Sequence, residues 1–267
     1  MRDSRLISKA FSSPQNNIKQ ESNVRGMAAA MEAGAKRQFS SDNPNNINEK
    51  VFRSIIKSEG FKNKVYSDKT GREVAKGTTI SADSKLPDGG FATVGYGTLA
   101  GDRYIPGISY SKEELTREAR KKIFDSINEV NTFYGEHLKK APISVLTALV
   151  DVEYNLGSLS KTPNFRDRMN EALANNNSNQ MYESAKELLD AISTGGLVSS
   201  GLVNRRAERF NEIARELNMP KIVSSNLISG DSNTIVKYNL EGDSGTLSYD
   251  INKQLLPTEK KYTEYLN

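Results

Sequence analysis

The chain reads as an α+β protein, with a small β-hairpin lobe and a larger, mainly α-helical lobe. Three observations carry that reading. Apolar residues step by three and four over residues 47–58. Turn signals then crowd residues 61–110, at Lys69-Thr70-Gly71, Lys76-Gly77 and Pro87-Asp88-Gly89-Gly90. Helical spacing returns after Ser111 and persists to about residue 217. Strands and helices gathered into separate blocks are the α+β pattern.

The elements follow in order. Residues 1–46 are rich in Ser, Asn, Gln and Lys. They read as an N-terminal extension, either partly disordered or docking on a partner. Within it the Ala-rich run 24–39 is a candidate helix for such docking. In the first strong helix, Ile47, Val51 and Ile55, with Phe52 and Ile56 beside them, make one apolar stripe. Asn46 is the expected N-cap, Glu49 completes a capping box, and Gly60 is the stop. Strands are expected at 64–66 and 91–96. Ser111 and Glu114 form a second capping box, and Leu115, Ala119, Ile123, Ile127, Val130 and Tyr134 continue one long helix.

A helix beginning near Pro142 is apolar nearly all round over Val145-Leu146-Thr147-Ala148-Leu149-Val150, so it belongs at the centre. Gly157 ends it. Further helices are expected at 165–174, 178–192 and 203–217. Beyond them Val236, Tyr238 and Leu240 alternate, Glu241-Gly242-Asp243-Ser244-Gly245 turns, and Leu247, Tyr249 and Ile251 alternate. That is a hairpin signal. A lone hairpin is marginal in water, so it must pack on the domain or join a partner's sheet. The expected organisation is an extension at 1–46, a central domain at 47–220, and a C-terminal extension with a hairpin at 221–267.

Composition narrows the chemistry. The hydrophobic fraction is 36%, below the ~45–50% usual for globular domains, so part of the chain should be poorly packed. The net charge of +4 divides into +3 on residues 1–46, −1 on 221–267 and +2 between them. That is mild and suits an acidic polymer. No basic stripe with interleaved aromatics argues for nucleic acid. There is no cysteine and one histidine, His137, in a polar helix-end context. Thiol nucleophiles, zinc-thiolate sites, His-ligated zinc and Ser-His pairs are thereby disfavoured, and neither metal nor cofactor is expected. No apolar run approaches a membrane span, and no secretory signal is recognised.

Carboxylates remain. Glu59 falls at a helix C-terminus, where the dipole disfavours a charged acid and raises its pKa, as a general acid requires. Asp68 follows nine residues later, past the first strand. An acid opposed by a second carboxylate is the equipment for glycosidic cleavage. The Thr93 hydroxyl is a candidate to hold the attacking water.

Four motifs in order carry a resemblance: Glu59-Gly60 with Asp68, Thr93-Val94-Gly95-Tyr96-Gly97, Tyr154-Asn155-Leu156-Gly157, and Asn204-Arg205-Arg206-Ala207-Glu208-Arg209. Over roughly residues 47–218 they resemble the phage-type lysozymes, glycoside hydrolase family 24, although Glu208 comes one residue early. The resemblance implies a lysozyme-like fold with a cleft between the lobes. It implies inverting hydrolysis between N-acetylmuramic acid and N-acetylglucosamine, with Glu59 as acid and Asp68 and Thr93 serving the water. Arg205 would be the charge partner of Glu59, with Gly95, Tyr96, Asn155 and Asn204 supporting the site or the substrate. Peptidoglycan is the implied partner, and other virion proteins of tail or baseplate are candidates through the extensions. The implied setting is a virion lysozyme or an endolysin in the host cytoplasm, acting on periplasmic peptidoglycan.

Two departures stand out. Between Asp68 and Thr93 lie 24 residues, more than the family usually has. The extra 72–91 stretch is expected to extend the hairpin over the cleft, and its Glu73, Asp83 and Asp88 compete for the base role. Thr98 stands where the family commonly has a His. A lytic transglycosylase and a structural virion protein with an inactive lysozyme fold remain alternatives.

Overall fold

The computed structural model describes residues 46–252 other than 82–83, 195–196, 231–232 and 243. The N-terminal extension up to residue 45, with its 24–39 segment, and Asp83 lie outside the described residues.

Helix α1 (Ile47–Ser58) buries Val51, Phe52 and Ile55 of the expected stripe, while Ile47 in its first turn is exposed and Ile56 is half-buried. Its Glu49 is buried too, and its carboxylate is engaged by Arg53 at 3.0 Å and by Arg120. After Glu59-Gly60 the chain enters strand β1 (Lys62–Ser67), which pairs antiparallel with β2 (Ala92–Gly95), and β2 pairs with β3 (Thr98–Leu99). The register sets Tyr66 opposite Thr93 and Thr93 opposite Leu99. Gly95 takes a left-handed φ of 66°, and a Cβ there would lie 3.1 Å from the Leu115 Cβ. Glycine therefore serves both the tight turn and the close approach of the strand to a helix.

The insertion between β1 and β2 does not lengthen a hairpin. Apart from the isolated bridges Tyr66–Glu73 and Lys85–Phe91 it is irregular. Val74, Ile80 and Leu86 fold inward on Val65, Ala92, Val94, Ala100, Tyr104 and Leu115, giving the β lobe its own small core.

Helix α2 (Lys112–Tyr134) is capped by the Ser111 hydroxyl, which accepts from the Glu114 N–H at 3.1 Å. It serves both cores. Leu115 closes the small one, while Ile123, Phe124, Ile127, Val130 and Tyr134 enter the large one. Helix α3 (Ile143–Leu156) runs through the centre of the large core and ends on Gly157 in the left-handed conformation. Helices α4 (Pro163–Ala174), α5 (Ser178–Lys186) and α6 (Ser200–Glu216) complete the helical lobe. The helix expected over 178–192 stops at Lys186. Past it, β4 (Ser193–Thr194) and β5 (Leu197–Val198) form a two-stranded hairpin.

The C-terminal region holds three strands where two were expected. β6 (Ile222–Ser229), β7 (Thr234–Leu240) and β8 (Thr246–Ile251) form an antiparallel meander. β7 alternates as its sequence predicts, and Val236, Tyr238 and Leu240 enter the large core with Ile222. The Tyr238 hydroxyl donates to the Leu189 carbonyl at 3.1 Å and Tyr249 to the Lys186 carbonyl at 2.9 Å. A sheet too small to stand alone is held by burial, worth about 1.5–3 kcal/mol for each large apolar side chain.

Candidate active site

The end of α1 delivers Glu59 to the junction of the lobes. The Glu59 N–H still donates to the Ile55 carbonyl at 3.2 Å, so the residue is fixed by the helix it terminates. Its side chain is 9% exposed. One carboxylate oxygen, Oε2, lies 2.8 Å from Arg205 Nη2. The other, Oε1, is buried with no hydrogen-bond partner. Gly97 closes the wall, where a Cβ would sit 3.6 Å from Oε2.

Arg205 comes from α6 and binds three groups at once: the Glu59 carboxylate, the Ser58 carbonyl at 3.1 Å, and the Asn155 Oδ1. Asn155 in turn donates to the Asp151 carbonyl at 2.8 Å, one turn back on α3. Burial pushes the Glu59 carboxyl up, and Arg205 pulls it down; burial wins and the net shift is upward. The helix-end position foretold the direction, but desolvation is the larger cause.

Beneath this pair lies a buried ionic cluster. Asp151, wholly buried on α3, faces Arg206 at 2.8 Å and Arg209 at 3.5 Å. Arg209 reaches α1, donating to the Ser54 hydroxyl at 2.8 Å, the Ser58 hydroxyl at 2.6 Å and the Ser54 carbonyl at 3.2 Å. The last turn of α1, which carries Glu59, is thus clamped by a guanidinium that is itself neutralised from α3 and by Glu212 at 2.8 Å.

A cavity of about 520 Å³ opens over Glu59, with Asp68, Asn155, Asn204, Arg205 and Glu208 in its wall. Asp68 is exposed, and its Oδ1 accepts the Phe91 N–H at 2.7 Å. Gly90 passes close by: a Cβ there would meet Asp68 Oδ1 at 2.8 Å and the Ser67 hydroxyl at 2.5 Å. Thr93 is buried and does not line the cavity; its hydroxyl donates to the Tyr66 carbonyl at 3.3 Å and also meets the Tyr66 phenol. Gly95 and Tyr96 stay behind the wall. The Tyr96 ring is buried against Phe61, 5.0 Å between centroids, and its carbonyl accepts the Tyr154 hydroxyl at 2.7 Å.

The structure therefore brings Glu59, Asp68, Asn155, Asn204 and Arg205 to one cavity, and sets Thr93, Gly95 and Tyr96 around it. The two competing acids among the described residues are engaged elsewhere. Glu73 pairs with Lys64 at 3.1 Å, and Asp88 accepts the Gly90 N–H at 2.9 Å and the Thr70 hydroxyl at 3.0 Å. His137 is exposed, beside Asn170 at 3.0 Å. Thr98 is buried beside the Tyr154 phenol.

Sequence reasoning missed two tyrosines and the ionic cluster. Burial pushes the phenols of Tyr66 and Tyr154 up, and both feel the Glu59 carboxylate. A lone acid in the apolar run of α3, Asp151, was the available signal for the cluster, since an acid so placed must find a cation.

The phage lysozyme family model matches residues 56–209. The active form of the P1 phage endolysin Lyz is similar in structure at 18% identity and a TM-score of 0.46, covering 66% of this chain and 89% of that one. The endolysin from Escherichia coli O157:H7 phage FAHEc1 is similar at 20% identity and a TM-score of 0.42, covering 61% and 90%. Among curated proteins none matches. With the family model spanning more than half its length, the chain belongs to the phage lysozyme family of peptidoglycan hydrolases.

Proposed function

We propose that this protein hydrolyses the β-1,4 bond between N-acetylmuramic acid and N-acetylglucosamine by an inverting mechanism. The two oxygens of Glu59 carry the reading: one is held by Arg205, and the other is buried and unpartnered. A general acid needs this asymmetry. The free oxygen presents a proton to the glycosidic oxygen, and burial raises the carboxyl's pKa, which favours the protonated form. As the C–O bond breaks, the proton passes to the leaving hydroxyl. The new Glu59 carboxylate is already paired with Arg205.

Asp68 shares the cavity and is open to water. We assign it to the water: it accepts a proton while the water oxygen attacks the anomeric carbon from the opposite face. Inversion calls for carboxyl groups roughly 6.5–9.5 Å apart, leaving room for that water. Thr93 acts through Tyr66, to which its hydroxyl is bound, and so fixes the strand that leads into Asp68. A second acid in the cavity favours hydrolysis over transglycosylation, which uses one. The action we assign is on the host wall during the phage cycle, from a virion or as an endolysin.

Mass spectrometry of fragments from purified peptidoglycan tests this. Wild type should release reducing muramic-acid ends and Glu59→Gln should release none. Anhydro ends would make it a transglycosylase. Silence from wild type would leave an inactive lysozyme fold.

A further inference from the structure

A second groove opens beside the cavity. It holds about 490 Å³ and runs between α6 and the outer strand β6, with Lys57 of α1 at its side. Asn204 and Glu208, one helical turn apart, line both spaces. A ligand leaving the cavity along this face of α6 enters the groove directly. Most of its wall lies past the family match, which ends at residue 209.

The groove is equipped for an extended peptide. Among the described residues β6 is an edge strand, with β7 as its one sheet neighbour. At one residue a side chain already stands in for a strand partner: the Asn211 amide donates to the Ile222 carbonyl at 2.8 Å and accepts the Ile222 N–H at 2.7 Å. The next residues, Val223, Ser224 and Ser225, line the groove, and the register shifts between Ile222 and Ser224. Val223 is 64% exposed there. An edge with polar and small apolar side chains can add a segment by main-chain hydrogen bonds.

The charges are specific as well. Lys57 and Arg215 are exposed on the groove, and neither has an ion-pair partner among the described residues. Glu208 has none either, whereas Glu212 is occupied by Arg209. Two free cations and one free acid fit a ligand with carboxylates and an amine.

We propose that this groove holds the stem peptide of the peptidoglycan strand whose sugars occupy the cavity. The inference rests on the muramidase reading above. The stem is joined to muramic acid, runs extended, and carries carboxylates from its γ-linked glutamate and its terminal alanine. Its third residue commonly carries an amine. Four extended residues reach roughly 13–14 Å, more than twice the ~5.4 Å pitch of the helix face they must pass. Lys57 and Arg215 take the carboxylates, Glu208 takes the amine, and β6 takes the main chain.

Two measurements on the full chain test it. The first is amide NMR with a synthetic tetrapeptide, L-Ala-γ-D-Glu-meso-diaminopimelate-D-Ala. Shifts at Val223, Ser224, Ser225 and the Asn211 side chain are expected, and a Lys57→Ala/Arg215→Ala variant should lose them. The second compares intact peptidoglycan with the same glycan stripped of its peptides. The double variant should lose about ten-fold in kcat/KM on the intact wall and nothing on the bare glycan. Equal loss on both substrates, or no peptide shifts, overturns the proposal. So do shifts that follow protein concentration without peptide, which would assign the groove to a second copy. Peptide binding with neither substrate cut would retain the groove and defeat the muramidase reading.

Discussion

Arg205 joins the acid to the helix that carries it: the same guanidinium binds the Glu59 carboxylate at 2.8 Å and the carbonyl of Ser58, the residue before it, at 3.1 Å. The cation is therefore both the counter-charge and the orienting group of Glu59, and its loss has two separable effects.

The first is on pH dependence. In the mechanism we propose the rate needs Glu59 protonated, so kcat/KM should fall as pH rises past its pKa. Arg205 lowers that pKa against the effect of burial. Removing the cation raises it further, and the alkaline limb of the pH–rate profile of Arg205→Ala should move to higher pH. The second effect is a lower plateau, by about 10²-fold, from lost orientation. Turbidity assays across pH read both. Arg205→Lys, which restores the charge, should return the limb and only part of the plateau.

Gly90 offers a test of Asp68 without touching it. A methyl group at 90 would stand 2.8 Å from Asp68 Oδ1 and 2.5 Å from the Ser67 hydroxyl. The Lys69 Cβ would lie at 2.8 Å as well, so the whole Ser67–Lys69 turn, Asp68 included, must shift. Gly90→Ala should cut turnover by about 10–10²-fold while the circular dichroism spectrum and the melting temperature stay close to wild type. Full activity in that variant would remove Asp68 from the reaction.

The buried cluster should be costly to break. Asp151→Asn leaves Arg206 and Arg209 without their buried anion, and such uncompensated charge costs about 3–5 kcal/mol. Urea denaturation of the variant should show that loss, with a midpoint shift and an unchanged slope.

Glu49 predicts the acid limb of stability. Burial alone would raise its carboxyl, but the hydrogen bonds from Arg120 and Arg53 outweigh burial and hold it below the usual value. A depressed folded pKa contributes stability that is present above the unfolded value near 4.5 and lost as pH falls through the folded one. Thermal melts below about pH 4.5 should therefore drop more steeply for wild type than for Glu49→Gln. The variant itself should sit about 1–3 kcal/mol lower at pH 7.

Much of the frame was legible because it rests on local signals. Ile47 through Ile56 repeat at helical spacing, Ser111 and Glu114 cap, and Gly95 and Gly157 stand where left-handed backbone is needed. The Glu59–Arg205 contact came from motif order alone, since 146 positions separate the two residues. The clamp on Ser54 and Ser58 was not legible: its guanidinium arrives from α6, and no local pattern marks which arginine turns inward. β6 was missed because one buried residue, Ile222, stands at its start and the rest of the strand lacks a clean inward alternation. The 72–91 insertion was read as extending the hairpin over the cleft, because Val74, Ile80 and Leu86 recur every six residues, a spacing that marks neither a helix face nor a strand face.

The sharing of one core between α1 and the C-terminal meander sets an order of events during synthesis. Every residue assigned to the chemistry, from Glu59 to Arg205, leaves the ribosome before Val236, Tyr238 and Leu240. Until those three arrive, the part of the large core that they fill stays open. The core that carries α1 is thus completed late: every group we assign to the chemistry has emerged before the last apolar side chains of that core are made.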